Sequence, residues 1–441
     1  MVYSEIRRGK RIGFFGIGMS NVSLMRCLPL SGCEITIRTE GKFDPRSIPD
    51  HIRPVRIYEG NAAFCDIDED ILIFSPSVRR EREEFNRARD RGVIFTSDAE
   101  LFFELCKKPV LCVTGSDGKS TTATLIYKIL SESGYNARLI GNIGCPMVES
   151  IDPAVDIYVA ELSSFMLRYA DPIAERACLT SLTPNHLDWH ESLEEYKKTK
   201  INLLKSSKKF VISDSNTEIS GAYAIISNDR YSHLSHRYSA GLYITEEKGY
   251  ICKNGEMLLS TDRIGAKEGH NVKNLMMAIA MTDGYTDIGA IERTAIKFTG
   301  LPHRCDLIHS EDGVDYIDSS IDSSPARTLT TLLSMKKSAV LILGGKSKGL
   351  DYAILSDAVQ GRAAAVIITG ENADEICSAL GASVSIEIIP DFDSAVIRGC
   401  EIVKSGEALL LSPASTSYDR FKNYAERGDR FKEIIKSIKQ I

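Results

Sequence analysis

The chain is 441 residues long, more than one ordinary hydrophobic core absorbs, so two or three domains are expected. It is 43% hydrophobic and 26% charged, with a formal net charge of −6, the composition of a soluble globular protein. A mildly acidic balance with no long basic stripe argues against a nucleic-acid partner.

The first segment opens with Arg11-Ile12-Gly13-Phe14-Phe15-Gly16-Ile17-Gly18-Met19-Ser20-Asn21, an apolar strand running into a glycine turn and a helix. Further strands are expected at Glu34-Ile35-Thr36-Ile37-Arg38 and Ile71-Leu72-Ile73-Phe74, the alternation of a Rossmann-like domain. The dinucleotide fingerprint is incomplete. Asn21 replaces the third glycine, and Arg38 and Thr39 stand where an NAD site wants an acidic ribose anchor. Two readings stay open: a turn that holds another phosphorylated, nucleotide-linked ligand, and a glycine turn with no ligand.

Lys107-Lys108-Pro109 marks a boundary. An apolar strand then runs into Thr114-Gly115-Ser116-Asp117-Gly118-Lys119-Ser120-Thr121-Thr122, with a helix from about Lys119 to about Ser133. Strand, glycine turn and helix start make an anion cradle. Backbone N–H groups and the helix dipole aim at a phosphate, Lys119 supplies a point charge, and the Ser120 hydroxyl can reach Mg²⁺. Only Ser116 and Asp117 separate the two glycines, a shorter spacing than G-x-x-x-x-G-K-[ST]. The bland alternative is a glycine turn with a surface lysine; the strand-to-helix context favours ATP.

Further strands at 155–160 and 178–182 predict a parallel sheet with ligands at its carboxyl ends. Glu161 and His186 fall at those ends. The stretch from about Lys209 to Ser260 reads as an antiparallel flap with an Asn254-Gly255 hairpin turn. After Gly300-Leu301-Pro302-His303-Arg304, strands at 338–343, 364–369, 383–389 and 408–411 alternate with helices as a second Rossmann-like domain. Ser324-Pro325 starts a helix there, with serine as cap and proline in the first turn. The eleven cysteines are odd in number and include no Cys-x-x-Cys, so buried free thiols in a reducing cytoplasm are expected. No apolar run approaches 18 residues and no signal-type segment opens the chain, which sets aside a membrane span.

Within the central segment Glu161 is a natural Mg²⁺ ligand, since magnesium takes one or two carboxylates plus phosphate oxygens. His186-Leu187-Asp188-Trp189-His190 invites a zinc reading, but a third or fourth protein ligand is missing. Asp188 and His190 read better as helix-start residues, and His186 is the stronger candidate. Lys200 lies in a charged helix, where by itself a lysine is a solvated surface residue.

Taken together, the ordered motifs resemble the Mur ligase family over nearly the whole chain. They are Gly115–Thr122, Glu161-Leu162-Ser163-Ser164-Phe165, Asn185-His186-Leu187-Asp188, Tyr196-x-x-x-Lys200, Gly269-His270-Asn271-x-x-Asn274, Leu301-Pro302-His303-Arg304, Leu343-Gly344-Gly345-x-x-Lys348-Gly349 and the run from Leu411 to Tyr424. The last resembles the D-glutamate-adding branch. The resemblance implies a three-domain α/β enzyme of peptidoglycan synthesis, a cytoplasmic monomer with no membrane partner. Residues 1–107 would hold the UDP of the acceptor UDP-N-acetylmuramoyl-L-alanine in a Rossmann-like domain. Residues 108–301 would bind ATP on a P-loop-type parallel sheet with a small antiparallel flap, and residues 302–441 would hold D-glutamate in a second Rossmann-like domain. The implied chemistry is carboxylate activation as an acyl phosphate, then amine attack through a tetrahedral intermediate.

Residue by residue, the resemblance puts Gly115, Ser116, Asp117, Gly118, Lys119, Ser120, Thr121, Asn271, Asn274 and Arg304 on ATP. Ser120 and Glu161 fall at one Mg²⁺, and His186 and Lys200 at a second. In the family that lysine is carbamylated, which turns a cation into a carboxylate-like ligand. Asn142 and Ser163 fall on the acceptor, Ser20 and Thr39 on its uridine side, and Lys348, Ser417 and Tyr424 on D-glutamate. Met166 stands where a glutamine is usual, Ser77 breaks a Ser-Pro-Gly, and Tyr424 replaces a phenylalanine of some members. Ser319 takes an aspartate position, leaving Asp318 or Asp322 as the substitute.

Overall fold

The computed structural model describes residues 2–6, 8, 10–183, 189–213, 219–237, 239–267, 269–346, 350–381 and 384–440. Among them the chain forms three mostly parallel sheets packed with helices, an α/β fold. It divides into two compact units, Met1–Thr299 and Gly300–Ile441. The boundary expected near residue 107 falls inside the first unit.

In the first sheet β1 (Arg11–Phe15), β2 (Glu34–Thr39), β3 (Arg56–Glu59), β4 (Ile71–Phe74) and β5 (Ile94–Thr96) pair in parallel, in the order β3-β2-β1-β4-β5. All of β4 and most of β1 is buried, as strands covered on both faces require. Alternation sends Ile12 and Phe14 to one face and Phe15 to the other, where it meets the rings of Phe64, Phe74 and Phe85. Strand order reverses between β1 and β4, so the glycine turn shares the crevice in which such sheets hold ligands. Asn21 is structural: its buried Nδ2 donates to the carbonyls of Phe15, Gly16 and Ile73 at 3.1, 2.8 and 3.3 Å. Arg38 turns inward as well, fully buried, onto Glu69 (2.8 Å) and the carbonyls of Ala63, Cys65 and Asp66.

The second sheet contains β6 (Val110–Thr114), β7 (Ala137–Gly141), β8 (Ile157–Glu161), β9 (Arg176–Leu179), β10 (Lys209–Ser213), β11 (Ala224–Ser227), β12 (Leu242–Glu247), β13 (Tyr250–Lys253) and β14 (Glu256–Ser260). Their order is β14-β13-β12-β11-β10-β9-β6-β8-β7. The antiparallel flap is smaller than expected. β10, β11 and β12 continue the parallel sheet beside β9, and the antiparallel pairs are β12–β13 and β13–β14. Val211, Ile212 and all of β11 are buried, whereas a one-sided flap leaves alternate residues in water. The Asn254-Gly255 turn stands as read, with both residues left-handed at φ +51° and +86°.

In the second unit β15 (Asp306–Glu311), β16 (Val314–Asp318), β17 (Ala339–Gly344), β18 (Ala363–Thr369), β19 (Ile386–Ile388) and β20 (Ala408–Leu411) follow the order β15-β16-β20-β17-β18-β19. They are parallel except for the β15–β16 hairpin. Pro325 opens the helix Pro325–Ser334, but the Ser324 hydroxyl makes no cap hydrogen bond, so the preset proline φ starts that helix.

One core cluster joins both sheets of the first unit, uniting Phe14, Leu24, Leu101 and Phe102 with Val110, Ile140 and Met147. The second unit has separate cores on the two faces of its sheet. All eleven cysteines are free thiols. Among the described residues no helix is long and apolar enough to cross a membrane.

Candidate functional site

The carboxyl ends of β6, β8 and β9 converge on the phosphate loop. Gly115 (φ +146°) and Gly118 (φ +80°) occupy backbone conformations that favour glycine. A Cβ at Gly115 would lie 2.0 Å from Thr180 Oγ1, and one at Gly118 2.4 Å from Asn274 Oδ1. The two residues between them are held by the segment after β9. Ser116 N donates to Ser181 O (2.9 Å), Ser116 Oγ to Thr183 O (2.7 Å), and Asp117 N to Ser181 Oγ (2.8 Å). Gly118 is the N-cap of the helix Lys119–Glu132, and no side chain caps that helix. Its first-turn amides remain directed at the loop, the arrangement that binds anions. Lys119 Nζ folds back onto Ser116 O at 2.7 Å, and Ser120 and Thr121 lie in the first turn.

Glu161 ends β8 and is fully buried. Asn142 Nδ2 donates to its Oε1 at 2.9 Å, while Oε2 has no hydrogen-bond partner among the described residues. A buried carboxylate oxygen without a partner is costly, and a hard cation is the group that such an oxygen takes. The residues therefore fit a magnesium ion.

Lys200 is not the solvated lysine that its charged neighbours suggest. The helix Leu193–Ser206 buries Tyr196, Thr199, Lys200, Leu203 and Leu204 on one face, and Lys200 is 2% exposed. Its Nζ donates to Gly115 O at 2.8 Å and sits 4.7 Å above the Tyr196 ring. Burial, and then the charge of Lys119, pull the Lys200 amine down to about 7, against the opposing influence of Glu161 and Asp117. The Tyr196 hydroxyl in turn lies 2.8 Å from Ser116 Oγ.

His186 lies outside the described residues. His190 is buried and bridges two helices: Nδ1 is 2.5 Å from Glu195 Oε2 and Nε2 is 2.9 Å from Ser164 Oγ. With Ser164 only 3% exposed, this relay has no room for a substrate and acts as a clasp. Ser163 is the N-cap of the short helix Ser164–Leu167, accepting from Met166 N. Met166, in the usual glutamine position, packs into the apolar core. Asn274 is 8% exposed, and its Oδ1 accepts from Thr122 Oγ1 at 3.3 Å; Asn271 lies one turn earlier on the same helix, Gly269–Thr282. Ser20 follows the first glycine turn and Thr39 ends β2, both half-buried.

In the second unit Arg304 stands between two left-handed residues, His303 (φ +66°) and Cys305 (φ +47°). His303 Nδ1 lies 2.7 Å from Asp318 Oδ2, and Cys305 N donates to Ser319 Oγ at 3.2 Å. Asp318, rather than Asp322, thus supports the Arg304 turn; Asp322 Oδ2 accepts from Thr331 and Ser412 hydroxyls. Ser417 is buried and Tyr424 is 40% exposed at the start of the helix Tyr424–Lys439. Lys348 lies outside the described residues. Sequence reading missed Arg427, one turn after Tyr424. It is 2% exposed, and its Nη2 donates to Ser320 O (3.0 Å) and Ser415 O (2.9 Å). Burial pulls its guanidinium down to about 10.

Residues 113–282 match a family model described as the Mur ligase middle domain. Two proteins named UDP-N-acetylmuramoylalanine--D-glutamate ligase match over almost their full length. The one from Ruminiclostridium cellulolyticum is 34% identical, covering 98% of this chain and 97% of the relative. The one from Acetivibrio thermocellus is 33% identical with the same coverage. Among solved structures, UDP-N-acetylmuramate-alanine ligase from Thermotoga maritima gives a TM-score of 0.57 at 19% identity, over 97% of this chain and 100% of that one. A pseudomurein peptide ligase type C from Methanothermus fervidus gives 0.54 at 15% identity with the same coverage. At such identities the two structures share the fold.

Proposed function

The chain belongs to the Mur ligase family, and we infer that it joins D-glutamate to UDP-N-acetylmuramoyl-L-alanine as a ligase of peptidoglycan precursor synthesis. The observation that carries the chemistry is the buried Glu161 carboxylate at the end of β8, with one oxygen satisfied by Asn142 and the other without a hydrogen-bond partner among the described residues. Amide formation from a carboxylate needs a leaving group on carbon. Transfer of the ATP γ-phosphoryl to the acceptor carboxylate gives an acyl phosphate and ADP. The amine of D-glutamate then attacks, and the tetrahedral intermediate expels inorganic phosphate.

In this reading the loop amides from Gly115 to Thr121 and Lys119 Nζ hold the ATP phosphates in line with the acceptor. Asn271 and Asn274 hold the rest of the nucleotide, and Arg304 is assigned to ATP by the family resemblance alone. Ser120 and Glu161 would hold one Mg²⁺, and His186 and Lys200 a second. Bound there, magnesium would offset the charge of two anions brought together. A protonated amine cannot ligate a cation, whereas an amine pulled down to about 7 has the free lone pair that captures carbon dioxide as a carbamate. Asn142 and Ser163 orient the acceptor, with Ser20 and Thr39 on its uridine end. Lys348, Ser417 and Tyr424 hold D-glutamate. Functionally the chain is divided as 1–107 for the UDP end, 108–301 for ATP and 302–441 for the amino acid, in a monomer that works in the cytoplasm.

Phosphate release tests this directly. It is expected only when ATP, Mg²⁺, the UDP-linked acceptor and D-glutamate are all present. Release with L-lysine or meso-diaminopimelate in place of D-glutamate would refute the assigned amine, and no release with any amino acid would refute a ligase.

A further inference from the structure

The loop that carries Asn142 has little freedom of its own. Gly141 (φ +101°) passes so close to β8 that a Cβ would lie 2.3 Å from Glu161 O, and one at Gly144 would lie 2.3 Å from Leu139 O. Asn142 N donates to Glu161 O (2.9 Å), Gly141 N to Cys145 O (3.0 Å) and Cys145 N to Leu139 O (3.1 Å). The near end of this loop is thus fastened to β8, and its far end, the turn Val148–Ser150 and the residue before it, is the end left for other elements to hold.

Two helices of the first sheet grip that turn. Asp98 opens the helix Asp98–Leu105 and is 2% exposed; Met147 N donates to its Oδ2 (3.0 Å) and Val148 N to its Oδ1 (2.9 Å). Ser23, on the helix Met19–Cys27 that follows the Gly16–Gly18 turn, donates to Glu149 Oε2 at 2.6 Å. Met147 and Val148 lie in the apolar cluster that also contains Leu24, Met25, Leu101 and Phe102. Burial pushes the Asp98 carboxyl above the usual range, against the two amides it accepts from, and Glu149 adds to the rise. A carboxylate in so apolar a place is an expensive way to join two packed elements, and its return is directional, because both oxygens fix the same turn.

We propose that Asp98, with Ser23 and Glu149, is a positioning clamp that ties the acceptor crevice of the first sheet to Asn142 and, through Asn142, to the Glu161 carboxylate. The inference rests on the acceptor and metal roles given to Asn142 and Glu161 above. Asp98 touches no reacting atom and acts through the loop it holds.

The test is a set of steady-state measurements on Asp98→Asn, Glu149→Ala and Asn142→Ala in the full-length enzyme. Asp98→Asn keeps the shape but loses one acceptor oxygen of a charged pair, so the acceptor KM is expected to rise about tenfold or more. The ATP KM should move less than about twofold, and half-saturation by Mg²⁺ should shift upward with the acceptor KM. Glu149→Ala, at an exposed position, should act in the same direction more weakly without threatening folding. If both variants lower the urea midpoint but leave the ratio of the two KM values unchanged, the clamp is merely structural and the proposal falls. Asn142→Ala separates the two failures. An unchanged acceptor KM there refutes the role of Asn142 and, with it, the route from Asp98; a raised one, beside an unaffected Asp98→Asn enzyme, refutes the clamp alone.

Discussion

Replacing Lys200 by methionine should stabilise the protein while abolishing its activity, and the gain should depend on pH. Lys200 is 2% exposed and its amine is held at about 7 instead of the usual 10.5, first by burial and then by Lys119. Between about pH 7 and about pH 10.5 the unfolded chain keeps a proton that the folded chain has shed, so wild-type stability rises with pH across that window and lacks that contribution below it. Methionine fills similar volume and has nothing to protonate. From about pH 6.5 to about pH 9 the advantage of Lys200→Met should therefore shrink by about 2–3 kcal/mol, at 1.36 kcal/mol per pH unit of differential protonation. The loss of the hydrogen bond to Gly115 O is common to both pH values and cancels. Urea melts of both proteins in buffer depleted of carbon dioxide measure this difference. A gap between the two that stays flat over this range would refute the buried neutral amine, and with it the argument that carbon dioxide can be captured there. Added bicarbonate should stabilise the wild type alone.

Lys200→Ala should lose activity by about a thousandfold or more, with partial rescue by short carboxylates that replace the missing ligand, read by phosphate release. Glu161→Gln should abolish the Mg²⁺-dependent stabilisation seen in thermal melts with ATP, since the oxygen left unpartnered in the fold is the one a cation takes. Gly118→Ala combines φ +80° with a Cβ 2.4 Å from Asn274 Oδ1; it should cost about 1–3 kcal/mol and weaken nucleotide binding by calorimetry. Asn21→Gly completes a dinucleotide fingerprint on paper, yet it should bind no NAD by calorimetry and should lower stability by about 1–3 kcal/mol, because the amide that joins Phe15, Gly16 and Ile73 is lost.

What the sequence disclosed was whatever local chemistry dictates. The phosphate loop, the strand ends that carry Glu161 and the Asn254-Gly255 turn follow from glycine conformations and short-range pattern, and they stand where the residues put them. The strands at 209–247 read as part of the flap because a short apolar run has no periodicity to distinguish a sheet interior from a sheet edge, whereas β10, β11 and β12 extend the parallel sheet. Lys200 carried a legible signal: it shares a helical face with Tyr196, Leu203 and Leu204, at spacings of four, three and four residues, and its charged neighbours concealed this. Asp98 carried none. Behind Ser97, whose hydroxyl accepts from Glu100 N, it looks like an ordinary acidic first-turn residue, and the amides that it accepts from lie 49 and 50 positions away.

The apolar cluster shared by the first two sheets has a consequence for how the chain unfolds. Leu101 and Phe102 precede residue 107 and Val110 and Cys112 follow it, yet all four belong to one cluster, so the proposed division of labour between acceptor and nucleotide would not be a division of cooperativity. Residues 1–299 should exchange their slowest amide protons as a single block, whereas residues 300–441, with cores of their own, should melt as a second block. A fragment ending near residue 107 would strand half of a core in water; one beginning near residue 300 would carry its own.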